Sequence, residues 1–309
     1  MPLIECVPNV SEGRRADVIA ALANAIAGRG VHLLDQSSDP SHNRTVYTFV
    51  GDAGPLQAAV MRLFASALAH IDLRHHEGVH PRIGAVDVVP FVPLDGAAMD
   101  DCIELARSTA ELVSQRFMIP VYLYEDAATH AARKNLADIR RGGVERLASR
   151  IQMAEWQPDF GGVVPHPTAG VSAIGARPVL IAYNVNLETD RVDAARRIAR
   201  TIRASSGGLS HVKAMGVLLE HRGLAQVSMN LTDYRITPMT KVFDAVTRQA
   251  ALEGVDVRDS EIVGLAPADA LPPDPITRLK LRPADVDRVL EKRLPGPKGP
   301  GLHTEGPRT

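Results

Sequence analysis

The sequence predicts an α/β protein of the α+β type with two subdomains, each a mixed sheet with helices. The order strand, helix, strand, strand, helix, strand occurs twice along the chain, which is the split-βαβ or ferredoxin-like pattern. A segment rich in glycine and proline, residues 157–177, separates the two occurrences. With 309 residues, of which 45% are hydrophobic, the chain has enough material for two modest cores.

The first occurrence lies within residues 1–177, which we expect to form the N-terminal subdomain. A first helix, with Ser11 as its cap, is predicted because Val18, Ile19, Leu22 and Ile26 fall on one face. Further helices are predicted from the apolar stripe of residues 56–68, at 100–117, and in segments up to about 153. Strands are predicted, from short apolar runs bounded by turn residues, at 3–7, 31–35, 44–50, 83–92 and 121–124.

The second occurrence lies within residues 178–293, which we expect to form the C-terminal subdomain. Its helices are predicted from a cap at Asp190 to about residue 204 and from Pro238 to about residue 253. Its strands are predicted at 179–187, 212–220, 224–231 and 259–265, the middle two forming a hairpin. The last residues, 294–309, bury too little apolar surface to order themselves, so they are predicted to be a disordered tail.

The composition argues against several classes of function. A formal net charge of −1 gives no basic field of the kind that nucleic-acid binding needs. No stretch approaches the roughly 20 apolar residues of a membrane span, and no leader precedes the first strand. Cys6 and Cys102 both lie in apolar surroundings, so two free thiols in a reducing compartment are expected. We therefore expect a cytoplasmic protein without nucleic-acid or membrane partners.

Residues 74–87 carry three histidines, two arginines and two carboxylates directly before the apolar run 88–92. Histidine passes protons near neutral pH, and Pro81 favours extended backbone at His80, so His80 is the first candidate for chemistry. An ordinary histidine bonded to a neighbour is the alternative. A zinc site is a further one, since His76 and His80 stand four residues apart, but Gly78 and Pro81 disfavour the helix which that spacing requires.

Three further polar groups are candidates for ligand contacts. Asp39, Asn43 and Arg44 precede a strand, where Asp39 could orient an imidazole and Arg44 could hold a carboxylate; a plain turn is the alternative. Amides occupy one face of each of two strands, at Asn184 and Asn186, and at Gln226 and Asn230 with Ser228 between them. They suit the edges of a heterocycle, or else form a solvated sheet face. The loop 160–170 could approach a ligand or simply link the subdomains.

Several of these segments resemble the glutamate formimidoyltransferase (formiminotransferase) family. The resemblance runs from residue 3 to about residue 265, and no cyclodeaminase segment follows it. Its motifs are ECVPNVSEG at 5–13, NRTVYTFVG at 43–51, HPRIGAVD at 80–87, VYLY at 121–124, PDFG at 158–161, TAG at 168–170, NVNL at 184–187 and LAQVS at 224–228.

The resemblance implies transfer of a formimidoyl group between N5 of tetrahydrofolate and L-glutamate in histidine degradation, without a metal. It also implies a ligand groove between the two subdomains and a homodimer. An alternative donor is 5-formyltetrahydrofolate, with folate salvage as the role; a folate-binding module without turnover is another alternative. In either transferase, 5-formimidoyl- or 5-formyltetrahydrofolate acts as a co-substrate.

The family's motifs also map onto individual residues. The catalytic histidine of the His-Pro-Arg motif maps onto His80, and Asp39 is the carboxylate expected to hold its tautomer. Asn43, Arg44 and Arg82 are expected to bind the anionic substrate, and the four strand amides to recognise the pterin and glutamate. The family's folate-binding stretch maps onto Gly161, Gly162, Val163, Val164, Pro165, His166, Pro167, Thr168, Ala169 and Gly170.

Overall fold

Two β-sheets face each other across a cavity in the computed structural model, which describes residues 2–79 and 81–296 apart from the His221 side chain. Residues 297–309, most of the predicted tail, lie outside the described residues, as does the candidate His80. The mixed α/β architecture that the sequence predicts is confirmed.

The first sheet and its helices are built from residues 4–176. Its strands are β1 Ile4–Cys6, β2 Asn9–Val10, β3 Val31–Asp39, β4 Arg44–Gly51, β5 Val86–Pro93, β6 Val121–Glu125 and β7 Ser172–Ala176. The helices that accompany it are α1 Ala16–Ile26, α2 Ala53–His70, α3 Met99–Phe117, α4 Leu136–Ile139 and α5 Leu147–Arg150.

The second sheet and its helices follow. Its strands are β8 Ile181–Leu187, β9 Val212–Leu219, β10 Leu224–Leu231 and β11 Val257–Val263. Its helices are α6 Val192–Ile202, α7 Met239–Leu252, α8 Pro275–Leu279 and α9 Leu290–Arg293.

The first sheet is mixed and contains the expected ferredoxin-like unit. β1 and β2 both lie between β4 and β5, and β3 pairs with the outer side of β4, all antiparallel. Beyond β5 the sheet continues with β7 and then β6, both in parallel pairing. The unit is therefore extended by two strands on one side.

Strand β7 corrects the prediction that residues 157–177 are a loop throughout. Ser172–Ala176 is fully buried between β5 and β6. The strand has small residues where apolar strands usually have large ones, so its sequence signal is weak. The small size is required, because a Cβ on Gly175 would lie 2.3 Å from the backbone oxygen of Tyr124.

The predicted helix caps at Ser11 and Asp190 are wrong. Helix α1 begins at Ala16, and the Ser11 hydroxyl instead donates a 2.7 Å hydrogen bond to the carbonyl of Gly84. Helix α6 begins at Val192 and has Arg191 in the cap position. Ser11 therefore fastens Gly84, near the end of residues 74–87 (called the histidine loop below), to the segment that follows β2.

The second sheet has the order β11-β8-β10-β9, which is the ferredoxin-like arrangement. All of its pairings are antiparallel, so the expectation of a mixed sheet is wrong here. The split-βαβ unit places β10 between β8 and β9, and an antiparallel strand in that position leaves no parallel neighbours. The predicted hairpin between β9 and β10 is confirmed.

Alternation along the strands decides which side chains face the cavity. On β4, Tyr47 and Phe49 are fully buried in the helix-covered core, whereas Val46 and Thr48 line the cavity. The second sheet packs Tyr183 and Val185 against its own helices in a separate core. Both free cysteines, Cys6 and Cys102, are buried.

Contacts between the two halves fix their relative position. Arg288 reaches the carboxylate of Asp35 at 3.2 Å and donates a 2.9 Å hydrogen bond to Ser37, while its Nε donates to Asp285. On the opposite side, Lys213 and Glu125 form an ion pair at 3.1 Å. Leu294 packs with Leu34, Val50, Leu265 and Leu290, so the prediction of disorder is wrong at this first residue of the tail.

Among residues 2–79 and 81–296, the structure contains no helix with the length and apolar character needed to cross a membrane.

We expect Arg288→Gln to lower the free energy of unfolding by about 1–3 kcal/mol, because it breaks a half-buried network that joins the two halves. The measurement is urea unfolding followed by circular dichroism. Lys292→Gln is the matched control, since Lys292 forms an exposed pair with Asp287 and should leave the midpoint unchanged. An unchanged midpoint for Arg288→Gln would contradict the role of this contact.

Candidate active site

A cavity with a volume of about 700 Å³, called the main cavity below, lies between the facing sides of the two sheets. This is within the usual size range of small-molecule sites. The first sheet contributes side chains from β1, β2, β4, β5 and β6, and the second sheet from β8, β9, β10 and β11. The polar lining on the strands consists of Glu5, Asn9, Arg44, Thr48, Tyr124, Glu125, Asn184, Lys213, Ser228 and Asn230.

The histidine loop borders this cavity. His80 itself lies outside the described residues, but Gly78 and Val79 before it, and Pro81 and Arg82 after it, line the cavity wall. The sequence prediction of a histidine loop beside a ligand site therefore agrees with the position of these flanking residues.

One buried carboxylate holds the C-terminal end of this loop. Asp87, 2% exposed, accepts hydrogen bonds from the backbone amides of Ile83 at 2.7 Å and Gly84 at 3.2 Å. Its other oxygen pairs with the guanidinium of Arg140. A carboxylate bound by two amides and a guanidinium fixes the local backbone conformation.

The N-terminal end of the loop rests on the turn between β3 and β4. The amide of Val79 donates to the carbonyl of Ser41 at 3.2 Å, and a Cβ on Gly78 would lie 2.4 Å from the carbonyl of His42. Only glycine therefore allows this close approach of the two chain segments.

His76 has a structural position. Its Nε2 lies 2.9 Å from the carbonyl of Asn43, and burial lowers the pKa of the imidazole below its ordinary value. Within the described part of the chain, no group of three or more His, Cys, Asp and Glu residues could hold a metal ion.

Asp39 is held by a histidine that the sequence interpretation did not select. Its carboxylate accepts a hydrogen bond from the backbone amide of His42 at 2.9 Å and lies 3.2 Å from Nδ1 of the same residue. Burial tends to raise the pKa of Asp39, but the hydrogen bonds and charge of His42 outweigh burial and hold it well below its usual range. The signal available in the sequence was the spacing of three residues between Asp39 and His42, which lets the two side chains meet across a turn.

Asp39 and His42 line a second cavity of about 420 Å³, which shares Arg44 and Val263 with the first. Burial and the neighbouring Arg140 lower the pKa of Arg44 to about 10, against the opposing effect of Asp87 and Asp39. Arg44 is thus a charged, desolvated group placed between the two cavities, which suits binding of an anion.

The other predicted anion partners differ in position. Arg82 lines the main cavity and donates a 2.6 Å hydrogen bond to the carbonyl of His76. Asn43 is absent from the lining of either cavity: its side chain accepts from the amide of Gly13 and donates to the carbonyl of Glu77, both at 2.9 Å. The amide of Asn43 therefore shapes the turn beneath the histidine loop.

The four strand amides divide into two pairs. Asn184 and Asn230 line the main cavity. Asn186 and Gln226 are fully buried and, like Asn184, donate to Glu261, with the Gln226 amide at 2.9 Å. Asn186 and Gln226 thus belong to an internal network centred on a buried carboxylate.

The loop 161–170 does not line either cavity. Nδ1 of His166 accepts hydrogen bonds from the amides of Thr168 and Ala169 within the loop. Gly170 forms an isolated bridge with Gly84, and the carbonyl of Thr168 accepts from Leu73. The structure therefore places this loop beside Leu73 and Gly84, outside the lining of both cavities.

Several cationic residues of the cavity were missed from the sequence. The cavity wall includes Arg44, Arg82, Arg140, Arg141, Arg177, Arg203 and Lys213, against three carboxylates at Glu5, Glu125 and Glu145. Arg140 and Arg141 lie just after the short helix α4, which has no strong periodicity. The wall is electropositive although the whole chain has a net charge of −1.

Glu5 and Thr48 occupy the end of the cavity next to the cluster of Leu34, Val50 and Leu265. Glu5 is 6% exposed, and burial raises the pKa of its carboxyl to about 7, with Arg177 acting in the opposite direction. Neither residue was selected from the sequence, because Glu5 stands within an apolar strand pattern.

Comparison with known proteins gives matches along nearly the whole chain. A family model described as the formiminotransferase domain, N-terminal subdomain, matches residues 3–177, and one described as the formiminotransferase domain matches residues 182–273. A protein of Streptococcus pyogenes named glutamate formimidoyltransferase is 44% identical, covering 95% of this chain and 99% of its own length.

Two other relatives extend the comparison. A glutamate formimidoyltransferase of Thermoplasma acidophilum is also 44% identical, over 95% of this chain and 98% of the relative. The formimidoyltransferase-cyclodeaminase of Sus scrofa is 41% identical over 87% of this chain, which corresponds to 51% of that longer protein.

We expect Asp87→Asn to lower the free energy of unfolding by about 3–5 kcal/mol, because Arg140 would remain buried without its counter-charge. The loss is measured by denaturant unfolding. Asp95→Asn is the control, since Asp95 is exposed and its side chain should contribute little. An Asp87→Asn protein as stable as the wild type would show that this carboxylate does not hold the loop.

Proposed function

The chain belongs to the formiminotransferase family, and on that basis we propose that it is a glutamate formimidoyltransferase. The reaction moves a formimidoyl group between N5 of tetrahydrofolate and the amine of L-glutamate, as a step of histidine degradation. The observation that carries the proposal is the electropositive cavity between the two sheets, with residues 78–79 and 81–82 in its wall.

The cavity fits both substrates in size and charge. Its volume of about 700 Å³ can hold a drug-sized ligand. Apolar side chains such as Val7, Val46 and Val88 offer flat contact for a ring system. Folate and glutamate both carry carboxylates, and seven cationic side chains against three acidic ones attract such anions.

His80 is proposed as the general acid and base. The amine of glutamate must lose a proton before it attacks the amidine carbon, and N5 must gain one before it leaves. Tetrahydrofolate supplies the nitrogen that carries the one-carbon unit. An imidazole with a pKa near neutrality can accept the first proton and return it in the second step, so one residue serves both. No metal is required.

Asp39, which lines the second cavity beside Arg44, is proposed to orient the imidazole of His80. Its carboxylate stays ionised over the working pH range, and its described partner is His42. A fixed carboxylate selects one tautomer of the histidine that it contacts. In the proposed mechanism, Asp39 sets the tautomer of His80 in this way.

The remaining contacts belong to the same proposal. Arg44 and Arg82 are proposed to bind substrate carboxylates, and Asn184 and Asn230 to contact the ligand from the second sheet. Asn43 is proposed to act through the turn that it shapes, and Asn186 and Gln226 through the Glu261 network. The stretch 161–170, which corresponds to the family's folate-binding segment, is proposed to support residues 83–84.

The organisation of the protein completes the proposal. Residues 1–177 and 178–293 would be the two formiminotransferase subdomains, and the protein would act as a cytoplasmic homodimer.

We expect turnover with 5-formimidoyltetrahydrofolate and L-glutamate, followed by folate absorbance and by detection of the acylated glutamate. Parallel reactions use 5-formyltetrahydrofolate as donor. Turnover with the formyl donor alone would replace the proposal by folate salvage at the same site. Tight folate binding without turnover of either donor would exclude a transferase.

We expect His80→Ala to reduce turnover by about 10²–10⁴-fold, which is the usual contribution of general acid–base catalysis. Folate binding, measured by calorimetry, should remain because the substitution removes a proton carrier. His32→Ala is the matched control, since His32 is exposed on the edge strand β3. Near wild-type turnover of His80→Ala would remove His80 from the mechanism.

A further inference from the structure

Two buried polar side chains of the main cavity, Glu5 and Thr48, have no hydrogen-bond partner within the described part of the chain. Thr48 is 1% exposed, and its hydroxyl has no hydrogen-bond partner among the described residues. Glu5 is 6% exposed, and its carboxylate is influenced by burial and by the charge of Arg177 but receives no hydrogen bond from the described residues. Both side chains line the cavity.

Unpartnered polar groups are uncommon in protein interiors, because desolvation without a hydrogen bond is unfavourable. A carboxylate is the more costly of the two, and burial raises the pKa of Glu5 to about 7. Such an arrangement is typical of a binding site, where a ligand supplies the missing donors.

The acidic end and the cationic end of the cavity are well separated. Glu5 pairs with Val50 on β4, and Arg44 lies six residues earlier on the same strand. At about 3.3 Å per residue, this places the two side chains roughly 20 Å apart along the sheet. Arg140, whose charge acts on Arg44, belongs to the cationic end.

The charged groups near Glu5 are few. Among the described residues, Arg177 is the one cation that acts on its carboxyl, and the phenol of Tyr124 stays neutral because burial raises its pKa far above neutrality. Glu125 is engaged by Lys213. Glu5 is thus the acceptor that a ligand meets at this end.

The walls around the two polar groups are apolar. Val7 and Pro90 of the first sheet, and Val179, Leu180 and Leu265 of the second half, line the same part of the cavity. A flat ring with hydrogen-bond donors along one edge fits a slot of this kind. The reduced pterin ring has such an edge, with the 2-amino group and N3–H side by side, and a carboxylate can accept both.

We propose that Glu5, assisted by Thr48, is the specificity-determining residue that binds the 2-amino and N3–H edge of the pterin ring. This inference rests on the proposed function, because it takes folate as the ligand. The folate glutamate tail then extends towards the cationic end. Glu5 pairs with Val50 and Asn9 with Val46, four residues or about 13 Å apart along β4, which leaves room for the bicyclic ring before residues 78–82.

The test uses the full chain and direct calorimetric binding of two probes: tetrahydrofolate and its analogue with a methyl group in place of the 2-amino group. The wild type should bind tetrahydrofolate about 10- to 100-fold more tightly than the analogue, as expected for a hydrogen bond to a charged group. Glu5→Gln should lose most of this difference by binding tetrahydrofolate more weakly. Thr48→Val should show a smaller loss of the same kind.

The pH dependence gives a second readout, which a purely structural role would not change. Since the ligand donors select the ionised carboxylate, wild-type affinity should fall about tenfold per pH unit below pH 7 and level off above it. In Glu5→Gln this dependence should be absent. Glu104→Gln, an exposed carboxylate on α3, is the control and should behave as the wild type.

The outcomes separate the two proposals. A Glu5→Gln protein that still discriminates between the probes, with wild-type pH dependence, would overturn the pterin subsite even if the wild type turns over. If Glu5→Gln loses the discrimination and the wild type binds tetrahydrofolate but transfers no group, the pterin subsite is supported and the proposed transferase activity is overturned. A wild type that does not bind tetrahydrofolate would overturn both. If Glu5→Gln fails to fold, unchanged discrimination in Thr48→Val overturns the subsite.

Discussion

The buried carboxylate of Asp87 is the constraint on which the candidate site depends. It lies in strand β5, in the interior of the first sheet, and holds the backbone of Ile83 and Gly84 together with the side chain of Arg140. The loop that precedes it is thereby fixed to the sheet at one end, and the β3–β4 turn supports it at the other. A loop held at both ends can present residues to a cavity with little loss of entropy on binding.

The cavity follows from the way in which each half buries its sheet. Long helices cover one face of each sheet, and the short helices α4 and α5 cover part of the other face of the first sheet; the rest of that face is left for the partner sheet or for a ligand. The contacts of Arg288 with Asp35 and of Lys213 with Glu125 keep these faces apart and aligned. Because Arg44 and its neighbours in the cavity wall are partly desolvated, they act more strongly on an anionic ligand than exposed cations would.

Local patterns in the sequence were sufficient for most of the fold. Period-two alternation and apolar stripes identified the strands and helices of both ferredoxin-like units. Strand β7 was not identified, since Ala173 and Gly175 contribute little hydrophobic signal although the sheet requires their small size. The antiparallel order of the second sheet follows from tertiary pairing, which no local pattern specifies.

The candidate site was predictable where chemistry is concentrated in one segment, as in residues 74–87. It was less predictable where partners meet from distant parts of the chain. Arg140 pairs with Asp87, which lies 53 positions away in the sequence. The hydrogen bonds that Asn186 and Gln226 donate to Glu261 depend on the register of three strands. The sequence could not distinguish Glu5 from an ordinary strand residue, because the second half of the chain completes its environment.

The most direct test of the central claim is a crystal structure of the protein with 5-formyltetrahydrofolate, a stable analogue of the proposed donor. We expect the pterin ring between the two sheets, with its 2-amino edge at Glu5 and its N5 side towards residues 78–82. A ligand bound outside this cavity, for example against residues 161–170, would contradict the assignment of the cavity as the active site.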